Sequence, residues 1–262
     1  MKQRILGLFL PIVATAVLTA CSSSESSIEY DIVKVDRHVA ITKAQDAPCC
    51  DVHLELACAK KTEGERAKAI NDAVTRWLFD MEGISMQQAA DSFANKYTRD
   101  YQKNFAPLYR EDAGDPEKRA WYEYHYNING EMASGRDGIT VYTASIDYYE
   151  GGAHGINQRL TMNFDNKDGK ALTLKDVFST GFEYSLNELL LEKLIEKAGA
   201  KDVDELRQMG YLYAMDIFAP ENFILGQDNV TFVYNPYEIA SYEKGLIELT
   251  IDNDELKDLW KK

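Results

Sequence analysis

The sequence predicts an α+β protein of two subdomains, with antiparallel sheets and helices packed on one face. Two observations predict it. Hydrophobic periodicity switches between a two-residue strand repeat and a 3.6-residue helical repeat, and the helical stretches come in blocks between hairpins instead of alternating one-for-one with strands. The chain has 262 residues, 45% hydrophobic and 27% charged, an ordinary globular balance that excludes disordered, collagen-like and coiled-coil classes. At about 150 residues per domain, one or two domains follow.

The chain opens with Lys2 and Arg4, then an apolar run from Ile5 to Leu18 broken by Pro11. A spanning helix needs ~20 apolar residues, so residues 1–20 read as a secretory signal. The run ends in Leu18-Thr19-Ala20-Cys21, which matches the bacterial lipobox pattern, in which the cysteine is lipidated and the leader is cut before it. Buried methylenes contribute about 0.8 kcal/mol each, so several acyl chains on Cys21 hold a domain at a membrane. Loss of the leader takes the net charge from −14 to −16. Residues 21–27, mostly serine, form a polar tether. The expectation is an exported protein, lipid-anchored to the bacterial cell envelope, at the outer membrane if the host has one.

Residues 28–147 form the expected N-terminal subdomain. Ile32–Ile41 and Val52–Ala59 alternate as paired strands, joined by a loop containing Pro48. Ala67, Ile70, Val74, Trp77, Leu78 and Met81 share a helical face that stops at Gly83. Ser85 and Gln88 make a capping box for a second helix bounded by Pro107. Strands follow over Trp121–Asn127 and Ile139–Tyr149, with Asn129-Gly130 and Asp137-Gly138 as turn signals.

Residues 148–262 form the expected C-terminal subdomain. A strand over Gln158–Phe164 meets the Asp168-Gly169 hairpin turn, and Thr173 with Asp176 caps a short helical turn. Leu186, Leu189, Leu190, Leu194 and Ala198 predict an amphipathic helix ending at Gly199, and Asp202 with Glu205 caps another. Phe223–Leu225, Val230–Tyr234 and Leu246–Ile251 are the last strands, before a helical turn or two to Trp260.

With Cys21 lipidated, Cys49, Cys50 and Cys58 remain. Cys50 and Cys58 fall on one strand face about 26 Å apart at ~3.3 Å per residue, too far for a disulfide. Cys58 then reads as a buried thiol. Cys49, Cys50 and His53 lack the C-x-x-C spacing of zinc sites. The four histidines, His38, His53, His125 and His154, show no helical metal-pair spacing, and nucleotide-binding and nucleophile-elbow motifs are absent. No cofactor, metal or catalytic residue is expected, and the acidic charge disfavours a nucleic-acid partner. Asp165–Gly169 has the glycine one place early for a calcium loop and reads as a hairpin tip.

His154, with Asp147 or Glu150 beside the glycine-rich turn, is the alternative, hydrolytic reading; the glycines equally serve a tight crossing at which His154 meets backbone groups. Tyr122, Tyr124 and Tyr126 share one strand face, and Tyr148, Tyr149, Tyr234, Tyr237 and Tyr242 lie in or near other strands. Such rings either form a recognition platform or fill sheet faces.

Three stretches carry a family resemblance: Tyr149-Glu150-Gly151-Gly152-Ala153-His154-Gly155; Phe164-Asp165 through Leu172-Thr173-Leu174-Lys175-Asp176-Val177-Phe178; and Val233-Tyr234-Asn235-Pro236-Tyr237-Glu238-Ile239-Ala240 with Leu246–Ile251. They resemble the domain-of-unknown-function family 3298, and residues 28–147 are similar to its N-terminal companion, family 4163. The resemblance implies an exported α+β unit of the kind found in the exterior part of a lysozyme-sensing anti-sigma factor and ahead of the catalytic domain of some peptidoglycan deacetylases. It marks Tyr149, Gly151, Gly152, His154, Gly155, Asn235, Pro236 and Tyr237 as candidate ligand-binding or motif positions. Deacetylase chemistry uses an H-x-x-x-H pair that this chain lacks. The expected function is therefore a non-catalytic envelope binding module, for a glycan or peptidoglycan fragment or for a basic cell-wall hydrolase such as lysozyme.

Overall fold

The computed structural model describes residues 27–112, 114–213 and 215–262. Cys21, the leader and all of the tether except Ser27 lie outside the described residues. Among those residues, no helix is long and apolar enough to cross a membrane.

The fold is α+β, with nine strands in two sheets among the described residues. Strands β1 (Tyr30–Ala40) and β2 (Cys49–Ala59) pair antiparallel. Helices α1 (Glu65–Phe79) and α2 (Met86–Asp112) follow, then β3 (Tyr124–Ser134), β4 (Ile139–Tyr149), β5 (Ile156–Asp165) and the short β6 (Ala171–Leu172). These six strands form one sheet in chain order. Helices α3 (Leu174–Val177), α4 (Glu183–Ala198) and α5 (Val203–Gln208) lead into a second sheet of β7 (Phe223–Leu225), β8 (Asn229–Tyr234) and β9 (Ile247–Asp252).

The local signals act where the sequence places them. Ser85 and Gln88 exchange hydrogen bonds at the start of α2, Thr173 and Asp176 form a reciprocal capping box, and Gly199 closes α4 in the left-handed region. In the first core, Ala89, Ala90 and Ala94 are fully buried, so α2 lies close against Val52, Leu54 and Leu56 of β2. In the second, Leu186, Leu190 and Leu194 of α4 cover Phe223, Phe232 and Leu249.

Several expectations are corrected. β2 and β3 run parallel, because the α1–α2 pair carries the chain back across the sheet between them. α2 continues through Pro107 to Asp112. The carbonyl that proline leaves unpaired belongs to exposed Lys103, where water can reach it, and Tyr109 and Asp112 are anchored on Tyr122, by ring contact at 5.3 Å and a 2.8 Å hydrogen bond. Trp121 and Tyr122 end a 3-10 helix (Pro116–Tyr122) capped by Asp115, so the strand starts only at Tyr124. Gly130 sits inside β3 and makes no turn; a Cβ there would lie 2.1 Å from the Tyr142 hydroxyl oxygen. Cys58 is half-buried, because it lines a cleft facing the α1–α2 connection. Cys50 is fully buried, and burial pushes its thiol up to about 12. The three described cysteines are unpaired.

Ala171 packs against the first core and Leu172 against the second, and position 147/148 lies within β4 of the large sheet. The helices cover only one face of that sheet. The other face is covered by the second sheet at its β5 end and is otherwise open.

Candidate functional site

Alternation decides what the open face carries. On β2, Val52, Leu54 and Leu56 turn toward the helices, which sends Asp51, His53 and Glu55 to the other side. Cross-strand register then aligns polar residues over five strands. One row runs Asp36, His53, Asn127, Asp147, Asn157, and the next runs Lys34, Glu55, Asn129, Ser145, Arg159. Neighbouring groups are paired within the rows: His53 with Asp36, Lys34 with Glu55 at 2.9 Å, and Asn127 donating to Asp147 at 3.2 Å. His125 Nε2 lies 2.9 Å from the same Asp147 oxygen.

The second sheet folds over one end of this face. Asn222 joins the two sheets, accepting from Thr161 N–H and donating to the Arg159 and Val233 carbonyls. Asn235, 5% exposed, accepts from Arg159 N–H at 2.7 Å, while its own N–H donates to Glu238. Burial pushes the Glu238 carboxyl up from its ordinary value. These ties hold the 236–246 loop above the polar rows. Between loop and sheet lies a groove of about 690 Å³, with Asn127, Asn129, Asn157 and Arg159 on its floor and Pro236, Tyr242 and Leu246 on its wall. Concave sites of about 300–1,000 Å³ that mix apolar walls with a few oriented polar groups are the usual form of small-ligand sites.

An aromatic rim closes one end. His154 stacks on Tyr242, with centroids 3.9 Å apart, and Tyr237 stacks on the same ring at 5.6 Å. Tyr242 is half-buried, and its hydroxyl donates to the Gly155 carbonyl at 2.7 Å. Tyr237 is 61% exposed with φ at 74°, a left-handed backbone that is rare for a bulky residue and recurs at ligand-binding sites. The glycine-rich turn shapes the rim. Gly151 has φ at 81°, and a Cβ there would lie 2.7 Å from the Trp121 carbonyl oxygen. The Gly152 carbonyl accepts from the Tyr149 hydroxyl at 2.9 Å.

The structure thus brings His154, Gly155, Pro236 and Tyr237 to the groove or its rim, with Asn235 as the buried suture beneath. It does not assemble the hydrolytic alternative. Asp147 engages His125 and Asn127, Glu150 takes the Tyr97 hydroxyl at 2.8 Å beside α2, and His154 Nδ1 faces the Gly155 carbonyl. No carboxylate pairs with His154 among the described residues. The tyrosines divide as well. Tyr122, Tyr124 and Tyr234 are buried, and Tyr126 and Tyr148 stack against each other at the first core, so the expected tyrosine face of β3 is packing. Asn127, Asn129, Asn157 and Arg159 escaped the sequence reading; their signal is the polar half of each strand's alternation, which becomes a site only once strand order is known.

Comparison with known proteins gives likenesses at the level of sequence, structure and family. The chain is 28% identical over 199 residues to the peptidoglycan-N-acetylmuramic acid deacetylase PdaC of Bacillus subtilis (strain 168), covering 74% of this chain but only 40% of that protein. A crystal structure of a member of the DUF3298 family from Bacteroides fragilis NCTC 9343 superposes with a TM-score of 0.83 at 26% identity, covering 91% of this chain and 96% of that one. A DUF3298 family protein from Pseudomonas aeruginosa PAO1 shares the fold, with a TM-score of 0.62 at 18% identity over 90% of this chain and 96% of that one. The family model described as "Protein of unknown function (DUF3298)" matches residues 175–254, the same family that the sequence motifs resemble.

Proposed function

We propose that this chain is a cell-envelope binding module whose groove holds a saccharide of the peptidoglycan class without cleaving it. The observation that carries the reading is the pair of polar cross-strand rows facing an aromatic wall. Asparagine amides, Ser145 and Arg159 supply donors and acceptors spaced by the sheet, matching hydroxyl and acetamido groups. Tyr242 and Tyr237 offer flat rings to the C–H faces of a sugar at little entropic cost. Likeness over 74% of the chain to a deacetylase of peptidoglycan N-acetylmuramic acid supports an envelope setting. The separate engagements of Asp147, Glu150 and His154 support holding over hydrolysis. Lipid on Cys21 ties the module to a membrane in this account, and residues 28–147 act as a unit of the companion family 4163.

A second reading, capture of a basic cell-wall hydrolase such as lysozyme, draws on the net charge of −14, which steers a cationic protein toward the chain. Calorimetry with peptidoglycan fragments and with lysozyme, each at low and high salt, separates the two. Fragment binding that survives salt and is lost in Asn127→Ala supports the saccharide groove. Lysozyme binding that weakens with salt supports the second reading. Absence of binding to either ligand at low salt removes both.

A further inference from the structure

A second cavity, about 210 Å³, lies on the helix side of the large sheet, between α2 and the adjoining ends of β3 and β4. Its walls follow from spacing. Phe93, Tyr97, Tyr101 and Phe105 recur every four residues along α2 and form one stripe. Tyr124 on β3 faces that stripe, its ring tilted 46° from Tyr101 and 52° from Phe105, at centroid distances of 5.1 and 5.0 Å. Two hydroxyls are already committed: Tyr101 donates to the Tyr122 carbonyl at 2.7 Å, and Tyr97 donates to Glu150 Oε1 at 2.8 Å. Tyr101 and Tyr124 are buried and form the cavity's packed back wall, so the ring area still open to a ligand comes mainly from half-buried Phe93, Tyr97 and Phe105, with Lys96 at the lip turned onto Asp100. Glu150 therefore supplies an anionic group at the lip of an aromatic cavity, and its second oxygen has no hydrogen-bond partner among the described residues. The other carboxylate at the lip, Asp100, is held by Lys96 at 2.8 Å.

Ring faces carry negative quadrupole charge and attract a cation within about 6 Å of the centroid. A carboxylate beside several such faces favours a cation over both anions and neutral groups. The volume is below the usual range for whole small-molecule ligands, so it suits a head group or a side-chain tip. We propose that this cavity binds the ammonium end of an organic cation, of the choline or the alkylamine type, with the rings as cage and Glu150 as counter-ion. The site is separate from the groove and does not depend on the saccharide reading.

The test titrates the full chain with choline, with n-butylammonium and with 3,3-dimethylbutan-1-ol, the neutral isostere of choline, following aromatic NMR resonances. The expected result is that a cation shifts Tyr97, Tyr101, Phe105 and Tyr124 together and binds at least about tenfold more tightly than the alcohol. Whichever cation binds more tightly identifies the quaternary or the primary source. Glu150→Gln, which keeps an acceptor for Tyr97 and should melt at the wild-type temperature, is expected to weaken the cation about tenfold and leave the alcohol unchanged. Equal binding of alcohol and cations, shifts confined to groove residues, or no shift with any ligand would overturn the proposal.

Discussion

His154 lies flat against Tyr242, with ring centroids 3.9 Å apart and planes 18° apart. This stack joins the glycine-rich β4–β5 turn to the loop that walls the groove, two segments separated in sequence by β5 through β8. It makes the rim one unit, and it separates a ring's contribution from a hydroxyl's.

Tyr242→Phe keeps the stack and removes the hydrogen bond to Gly155. It should cost about 1 kcal/mol of stability and leave peptidoglycan-fragment affinity nearly unchanged. Tyr242→Ala removes the wall and should weaken binding by roughly tenfold. Thermal melts and calorimetry on the pair of variants read the two effects separately; equal affinities would show that the ring does not touch ligand.

Asn235→Ala leaves the part-buried Arg159 N–H without its acceptor. The expected loss is about 1–3 kcal/mol, visible as a fall of several degrees in melting temperature. A melt unchanged within error would mean that the β5–β8 suture carries no stability.

Tyr142 is fully buried, and its hydroxyl lacks a partner among the described residues. Tyr142→Phe should therefore stabilise the protein, by about 1 kcal/mol. Gly130→Ala should destabilise it by about 1–3 kcal/mol through overpacking against the same hydroxyl. In the double variant the cost of the alanine should be clearly smaller than in the wild-type background, which chemical denaturation of all four proteins measures as a coupling.

The Lys170 ammonium, with hydrogen bonds from Thr173, pulls the Asp176 carboxyl down from its ordinary 3.8 to about 2. Because the folded value is the lower one, its stabilisation is fully present above the ordinary range and is lost as pH falls through 4 toward 2. Asp176→Ala should cost about 1 kcal/mol near neutral pH, as loss of a helix cap does. The gap between the two proteins should shrink as pH falls through 4 and close below pH 2; a constant gap across the acid range would contradict the assignment.

Much of the fold is legible in the sequence because its signals are local. The 3.6-residue stripes of α1, α2 and α4, the Thr173–Asp176 box and the Gly199 stop depend only on neighbours along the chain. The misreadings come from contacts made at long range. Pro107 looks like a helix end until Tyr109 and Asp112 find Tyr122, and Gly130 looks like a turn until the Tyr142 ring crosses it. Nothing local reveals that β2 lies parallel to β3, so nothing local reveals that His53 neighbours Asn127. The site is half legible for the same reason. The rim residues His154 and Tyr237 stand in compact motifs, whereas the floor is assembled from single polar positions on β2, β3, β4 and β5 that acquire meaning only through register.

The most direct test of the central claim is NMR observation of the asparagine side-chain amides as the full chain is titrated with peptidoglycan disaccharide-peptide. Concerted, saturable shifts of Asn127, Asn129 and Asn157 are expected, with the surface residues of α4 unmoved. Saturable binding that leaves those three amides in place would contradict it.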